Sequence, residues 1–145
     1  MRTITLWQPW ASLIVTDMKK VETRGHKTNI RGRVAIHAAK FRKIPHEVFR
    51  EIYDLLPPYS MVATWLGSIE KGKCTENFGS VLGTVVIKDC VPIEELYGTE
   101  YDTPLERAVG DWSVGRYGWI LSAPQTFESS VPVKGKQGFW NWEDK

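Results

Sequence analysis

Short segments with strand character recur along this chain without regular alternation with helices, and this pattern constrains the fold more than any other feature. Residues 3–7 alternate polar and apolar side chains, as expected of a strand with one buried face. Further strands are predicted at residues 20–24, 34–39, 81–93, 116–121 and 131–134, with Gly83 as a candidate bulge. Because helices do not alternate with these strands, the sequence predicts a compact, barrel-like α+β domain.

Helical periodicity is clearest in residues 46–56, where the apolar side chains form one stripe and a Pro-Pro pair follows. A shorter helix is predicted to begin near Pro9 and to end near Asp17. Two long segments, residues 67–80 and 97–115, are predicted to be loops, and the second is a candidate functional loop. We find no repeat and no linker, so we predict one domain over residues 1–145.

The distribution of charge is more informative than the net charge of +2. Residues 1–43 carry ten Lys and Arg against two Asp and Glu, which gives a net charge of +8. The other 102 residues carry nine cations and fifteen anions, a net charge of −6. Such asymmetry points to contact with nucleic acid or a membrane surface, whereas the simpler alternative is a solvated basic face.

Several other classes of protein are not supported by the sequence. Gln8 and Pro9 interrupt the apolar N-terminal stretch, so we expect no signal peptide and no membrane span. The histidines and the two cysteines, Cys74 and Cys90, lack metal-binding spacing, and no cofactor motif is present. We therefore expect a cytoplasmic protein with free thiols, no metal and no cofactor. His37 lies in a predicted strand and is expected to be structural.

Seven tryptophans are an excess for a chain of 145 residues. Trp119 lies inside an apolar strand and is predicted to be part of the core. Trp7, Trp10 and Trp112 lie beside polar residues at the boundaries of predicted elements. Aromatic rings next to cations suit single-stranded nucleic acid, because bases stack on the rings while the cations pair with phosphates. These three tryptophans are therefore candidates for a binding site.

Lys19, Glu22 and Arg24 form the most specific local cluster. Glu22 and Arg24 are two residues apart, so they share one face of the predicted strand, and Lys19 precedes it. The group could hold a phosphate and accept a hydrogen bond from an exocyclic amine of a base. A surface ion pair of little energetic consequence is the simpler interpretation.

The surrounding sequence resembles the start of the ASCH (activating signal cointegrator homology) domain. That family has a QPWA-type helix start, found here at residues 8–11, and a GxKxxExR motif, matched by Lys19, Glu22 and Arg24. Three further segments, residues 31–40, 115–121 and 133–142, resemble its basic strand and closing portions. Asp17 replaces the usual glycine, which would put an anion at the mouth of the pocket. His26 stands at a position where a tryptophan is common in that family.

The resemblance implies a PUA-like mixed β-barrel with flanking helices and a cleft that carries Lys19, Glu22 and Arg24. Relatives with this fold bind RNA or DNA, so we expect RNA as the favoured partner, single-stranded DNA as a second candidate, and no membrane contact. The predicted nucleic-acid-binding residues are Trp7, Gln8, Trp10, Lys19, Glu22, Arg24, His26, Lys27, Arg31, Arg33, Trp112 and Arg116.

The sequence leaves two other functions open. Some ASCH-type proteins are ribonucleases and others remove acyl groups from modified cytidine, although the latter have a threonine where this chain has Glu22. Glu22 as general base and Lys19 as charge stabiliser would suit a metal-independent ribonuclease or a nucleobase hydrolase. A protein-interaction module would instead use tryptophans and the acidic residues within 94–111.

Overall fold

The computed structural model describes residues 1–56, 61–70 and 77–143, which form six strands and four α-helices. The strands are β1 Arg2–Leu6, β2 Val21–Arg24, β3 Gly32–Ala38, β4 Ser80–Pro92, β5 Tyr117–Pro132 and β6 Phe139–Asn141. The helices are α1 Trp10–Val15, α2 His46–Leu55, α3 Met61–Glu70 and α4 Pro104–Val109, and a 3-10 helix at Ile93–Leu96 follows β4. None of the described helices is long and apolar enough to cross a membrane.

The six strands form one sheet in the order β2-β5-β4-β3-β1-β6. Every neighbouring pair is antiparallel except β1 and β3, which run parallel. The sheet curls into a half-barrel with helices on its flanks. The predicted α+β class and PUA-like barrel architecture are therefore confirmed.

Burial of the apolar side chains on one face explains why the alternating segments form strands. Ile4, Leu6, Val34 and Ile36 are all buried, and they pack together in the main apolar cluster. Trp119 lies in the same cluster at 2% exposure. Its structural role is confirmed. Burial of such side chains supplies most of the stabilisation of a domain of this size, at about 25 cal/mol per Å² of apolar surface.

The hairpin of β4 and β5 is longer than the sequence suggested. The predicted strand 116–121 and the first two residues of the predicted strand 131–134 belong to one strand, β5, which ends at Pro132 and pairs with the 13-residue β4 from end to end. The register shifts between Val81 and Gly83, so the predicted bulge at Gly83 is confirmed. A Cβ atom on Gly83 would lie 2.1 Å from the carbonyl oxygen of Gln125. Only glycine fits this close approach of two backbones.

The short α1 helix ends before its predicted limit. It ends at Val15, and Asp17 has a φ of +66°, in the left-handed region. Aspartate tolerates this conformation better than most residues, although glycine does so best. The Asp17 carboxylate lies 3.8 Å from Lys20 Nζ. Asp17 therefore serves the turn between α1 and β2 and is not among the residues that line the cleft described below.

Both predicted loops contain helix. The first four residues of the segment 67–80 complete α3, whereas residues 71–76, including Cys74, lie outside the described residues. Within 97–115, α4 begins after Thr103, whose side chain accepts a hydrogen bond from the Glu106 N–H at 3.1 Å. The capping threonine and the proline at the first helical position are a start signal that sequence reasoning missed.

We expect Gly83→Ala to destabilise the protein by about 1–3 kcal/mol, because the added methyl group overlaps the β5 backbone. The matched control is Gly25→Ala, whose Cβ would meet only the end of the Arg116 side chain at 3.8 Å. Chemical denaturation of both variants measures the free energies of unfolding. Equal free energies of unfolding for the two variants would show that the bulge accommodates the added methyl group without cost.

Candidate functional site

A cleft of about 510 Å³ lies where the end of β1, the start of α1, β2 and the end of α4 meet. Five of the predicted residues line it, namely Trp7, Trp10, Glu22, Arg24 and Arg116. Its volume is within the usual range for a small-ligand site. The structure thus brings together predicted aromatic and charged residues from the segment after β1, from α1, from β2 and from the segment before β5.

The alternation of β2 places the charged residues toward the cleft. Val21 and Thr23 are buried, whereas Glu22 and Arg24 are half-buried. Arg24 Nε donates to Glu22 Oε2 at 3.1 Å, a charge-assisted hydrogen bond. The Arg24 guanidinium also lies 5.6 Å from the centre of the Trp119 ring. The carboxylate and the guanidinium are therefore fixed relative to each other and to the core.

The two cleft tryptophans differ in exposure. Trp7 follows β1 and is 45% exposed, and the Arg42 guanidinium lies over its ring at 3.9 Å from the centre. Trp10 begins α1 and packs partly against the helical core around Phe49. Trp7 is therefore the aromatic surface more accessible to a ligand.

Lys19 is buried beneath the cleft and is only 1% exposed. Its Nζ donates to the Val21 carbonyl oxygen at 2.6 Å and lies 4.0 Å from Glu22 Oε1. Desolvation lowers the pKa of Lys19, and the charges of Glu22 and Glu106 oppose this shift. In this structure the Lys19 ammonium group bonds to Val21 and does not line the cleft, so its predicted contact with a phosphate or substrate stays a prediction. Lys19 instead places a buried positive charge next to the Glu22 carboxylate.

Glu106 is a buried carboxylate near the site that sequence reasoning missed. It is 4% exposed, and its Oε2 accepts a hydrogen bond from the Lys20 N–H at 2.7 Å. Desolvation raises the pKa of Glu106, whereas the nearby Lys19 charge opposes the shift. The signal was present, because Glu106 follows Thr103 at the three-residue spacing of a capping box. Here the carboxylate bonds to the backbone just before β2 rather than to its own helix end.

The far side of the cleft carries a second ion pair. Arg116 Nε lies 3.5 Å from Asp111 Oδ2, and Arg116 Nη2 donates to the Thr23 carbonyl oxygen at 3.3 Å. Hydrogen bonds from the Ser113 side chain and backbone lower the pKa of Asp111, which keeps it ionised. Together with Glu22 and Arg24, this pair gives the cleft two cations and two anions. The cleft is therefore close to charge-neutral.

Two predicted residues are structural rather than exposed. Gln8 is 1% exposed, and its amide donates to Ser12 Oγ at 2.7 Å and to the Asn77 carbonyl oxygen at 2.6 Å. Trp112 is 5% exposed, and its Nε1 donates to the Glu106 carbonyl oxygen at 3.1 Å. The Trp112 ring packs beside Ile93 and Leu96 and does not line the cleft, so its predicted stacking on a base stays a prediction.

The four remaining predicted residues do not line the cleft. His26 is exposed and meets the edge of the Trp119 ring, and Lys27 is exposed beside it. Arg31 donates to two backbone carbonyl oxygens and lies 3.5 Å from Asp89. Arg33 donates to Thr84 Oγ1 and to the Ala123 carbonyl oxygen, and it lines a separate groove. In residues 1–56, 61–70 and 77–143, no three His, Cys, Asp or Glu side chains gather to hold a metal.

Comparison with known proteins identifies the family to which the chain is similar. The family model of the ASCH domain matches residues 4–130. Activating signal cointegrator 1 from Mus musculus and from Homo sapiens are each 29% identical over 147 residues. These matches cover 98% of this chain but only 22% of either relative, so this chain corresponds to a minor part of their length.

Solved structures confirm the fold. The crystal structure of ASCH from Zymomonas mobilis has a TM-score of 0.52 and 18% identity, covering 99% of this chain and 87% of that chain. A mutant of the same protein gives a TM-score of 0.53 at 17% identity, covering 99% and 90%. The family match spans the strands and helices that build the cleft, including Lys19, Glu22 and Arg24. This chain belongs to the ASCH domain family.

Proposed function

We propose that this protein binds single-stranded nucleic acid, RNA in preference to DNA, and holds one unstacked base in the cleft. The observation that carries the proposal is the position of the exposed Trp7 ring at a cleft lined by the Glu22–Arg24 pair. Stacking on an aromatic ring contributes about 1–3 kcal/mol per base. Trp7 supplies this surface, and its Arg42 neighbour supplies a positive charge beside it.

Glu22 is the natural reader of a base edge in this cleft. Arg24 holds one carboxylate oxygen at 3.1 Å, and Lys19 lies 4.0 Å from the other. An ionised carboxylate only accepts hydrogen bonds, so it favours a base that presents an exocyclic amine, such as cytosine. We therefore expect preference for amino-bearing bases over uracil.

Binding is better supported than the two alternatives. A metal-independent ribonuclease or nucleobase hydrolase would need Lys19 at the substrate, and Lys19 is 1% exposed with its ammonium group bound to Val21. Glu22 is then the one remaining member of the proposed catalytic pair. A protein-interaction module would lose Trp112 from its docking patch, because that ring is buried.

The cytoplasmic location expected from the cysteines stays a prediction.

Removal of the Trp7 ring should weaken binding without unfolding the protein, because this side chain is 45% exposed. We expect Trp7→Ala to reduce affinity for a single-stranded RNA roughly 5-fold to 150-fold, the equivalent of one lost stacking contact. Leu55→Ala, an exposed apolar truncation on α2, is the control. Fluorescence anisotropy with labelled RNA measures both. Unchanged affinity of the Trp7 variant would refute the stacking role.

Glu22→Gln should change base preference more than overall affinity, because an amide both donates and accepts hydrogen bonds. We expect the preference for cytidine or adenosine oligomers over uridine oligomers to fall roughly 5-fold or more. Glu128→Gln, an exposed carboxylate outside the cleft, is the control. Competition binding and gel analysis of the same RNA report preference and cleavage together. If preference and cleavage both match the wild type, Glu22 is only an ion-pair partner.

The buried position of Lys19 makes a separate prediction about stability. Lys19→Met keeps the volume of the side chain but leaves the Glu106 carboxylate buried without its cation, and we expect a loss of about 3 kcal/mol. Lys20→Met removes an exposed ammonium 3.8 Å from Asp17, and its cost should stay below about 1 kcal/mol. Urea denaturation compares the two. Similar losses would mean that Lys19 is solvated.

A further inference from the structure

A second groove of about 500 Å³ adjoins the cleft. The two share Thr5, Leu6, Trp7 and Gln137, so they form adjacent parts of one concave surface. Trp7 lies at the boundary, with the Arg42 guanidinium over its ring. If a nucleic-acid strand places one base at Trp7, the neighbouring nucleotides of that strand therefore lie along this groove.

The groove differs from the cleft in charge. Its described lining residues include Lys40, Lys134 and Lys136 and no acidic residue. All three lysines are exposed. In the cleft, by contrast, Glu22 and Asp111 balance the two arginines. The positive charge available to a polyanion is therefore beside the cleft and not inside it.

The floor of the groove is polar but neutral, and its hydrogen bonds are specific. His37 is 2% exposed, and its Nε2 lies 2.8 Å from the Val133 carbonyl oxygen. A carbonyl oxygen only accepts, so Nε2 carries the hydrogen and Nδ1 accepts from the Thr5 hydroxyl at 3.1 Å. The Thr5 oxygen in turn accepts from Trp140 Nε1 at 2.9 Å. Desolvation lowers the pKa of His37, which favours this neutral form.

The segment that carries Lys134 and Lys136 packs against this floor. A Cβ atom on Gly135 would lie 2.4 Å from His37 Cε1 and 3.0 Å from Thr5 Oγ1. Gly135 lies between Lys134 and Lys136, and Val133, two residues before Gly135, accepts the hydrogen bond from His37. The fold thus fixes the backbone from which both lysines project.

We propose that this groove binds the phosphodiester backbone of the strand whose base occupies the cleft, with Trp7 marking the division between base and phosphate contacts. The inference rests on the proposed function. Phosphate contacts supply affinity and salt dependence, whereas base contacts supply preference. Lys40, Lys134 and Lys136 perform the first role, and Glu22 performs the second.

The test compares two triple variants that remove the same charge. Lys40→Gln, Lys134→Gln and Lys136→Gln together neutralise the groove. Lys20→Gln, Arg50→Gln and Lys88→Gln neutralise three exposed cations that line neither the groove nor the cleft. Affinity for a single-stranded RNA of ten nucleotides is measured over a range of salt concentrations, with a DNA oligonucleotide of the same sequence in parallel. Thermal melting of both variants verifies that they are folded.

We expect the groove variant to lower the magnitude of the slope of log affinity against log salt by about 2, at about 0.7 per lost phosphate contact on a single strand. The control variant should keep the wild-type slope. Quenching of tryptophan fluorescence at saturation should persist in the groove variant, because the base still reaches Trp7. Similar slopes on RNA and DNA would identify the phosphate, and not the 2′-hydroxyl, as the group that is bound.

Failure of this inference is distinguishable from failure of the proposed function. If the wild type binds RNA in a manner that depends on Trp7 but the groove variant keeps its slope, the groove does not hold phosphates. If the groove variant keeps RNA binding but loses retention on phosphatidylserine vesicles, the groove serves a membrane surface instead. Wild-type protein that binds neither RNA nor DNA would overturn both proposals.

Discussion

The buried ammonium group of Lys19 is the constraint on which the candidate site depends. A cation at 1% exposure has lost its hydration, so the fold must surround it with acceptors and opposite charges. Val21 supplies a carbonyl oxygen, Glu22 a half-buried carboxylate at 4.0 Å, and Glu106 a buried carboxyl group whose charge opposes the desolvation of Lys19. These partners come from β2 and α4, and therefore one charge links the turn after α1, the edge strand and the distant helix.

Several specific contacts hold the short helix α4, of six residues, in its place. An isolated helix of this length would not persist in water. α4 is instead capped by Thr103, and its Glu106 carboxylate accepts the Lys20 N–H at 2.7 Å. The Glu106 carbonyl oxygen also accepts the Trp112 indole N–H. The buried position of Trp112 is thus fixed by a hydrogen bond to Glu106, the same residue whose carboxyl group lies near Lys19.

The sequence predicted the parts of the site that depend on local periodicity. Alternation along β2 was enough to place Glu22 and Arg24 on one face, and the polar context of Trp7 was enough to expect its exposure. Trp112 has a similar polar context, but its burial depends on Glu106 and on the 3-10 helix, which are distant contacts. The burial of Lys19 likewise depends on Glu106, 87 positions away in the chain. No local pattern distinguishes such a lysine from a solvated one.

Charge along the chain and charge in space are also different quantities here. The net charge of +8 in residues 1–43 suggested one basic face, but its members separate in the fold. Lys19 is buried, Arg24 is paired with Glu22, and Arg31 and Arg33 are held by backbone and side-chain acceptors away from the cleft. Lys40 remains beside the cleft, where Lys134 and Lys136 join it from the part of the chain that carries a net negative charge. Because β1 pairs with both β3 and β6, the segments that follow β3 and precede β6 meet at the same end of the sheet. Sheet topology, rather than composition, therefore creates the basic groove next to Trp7.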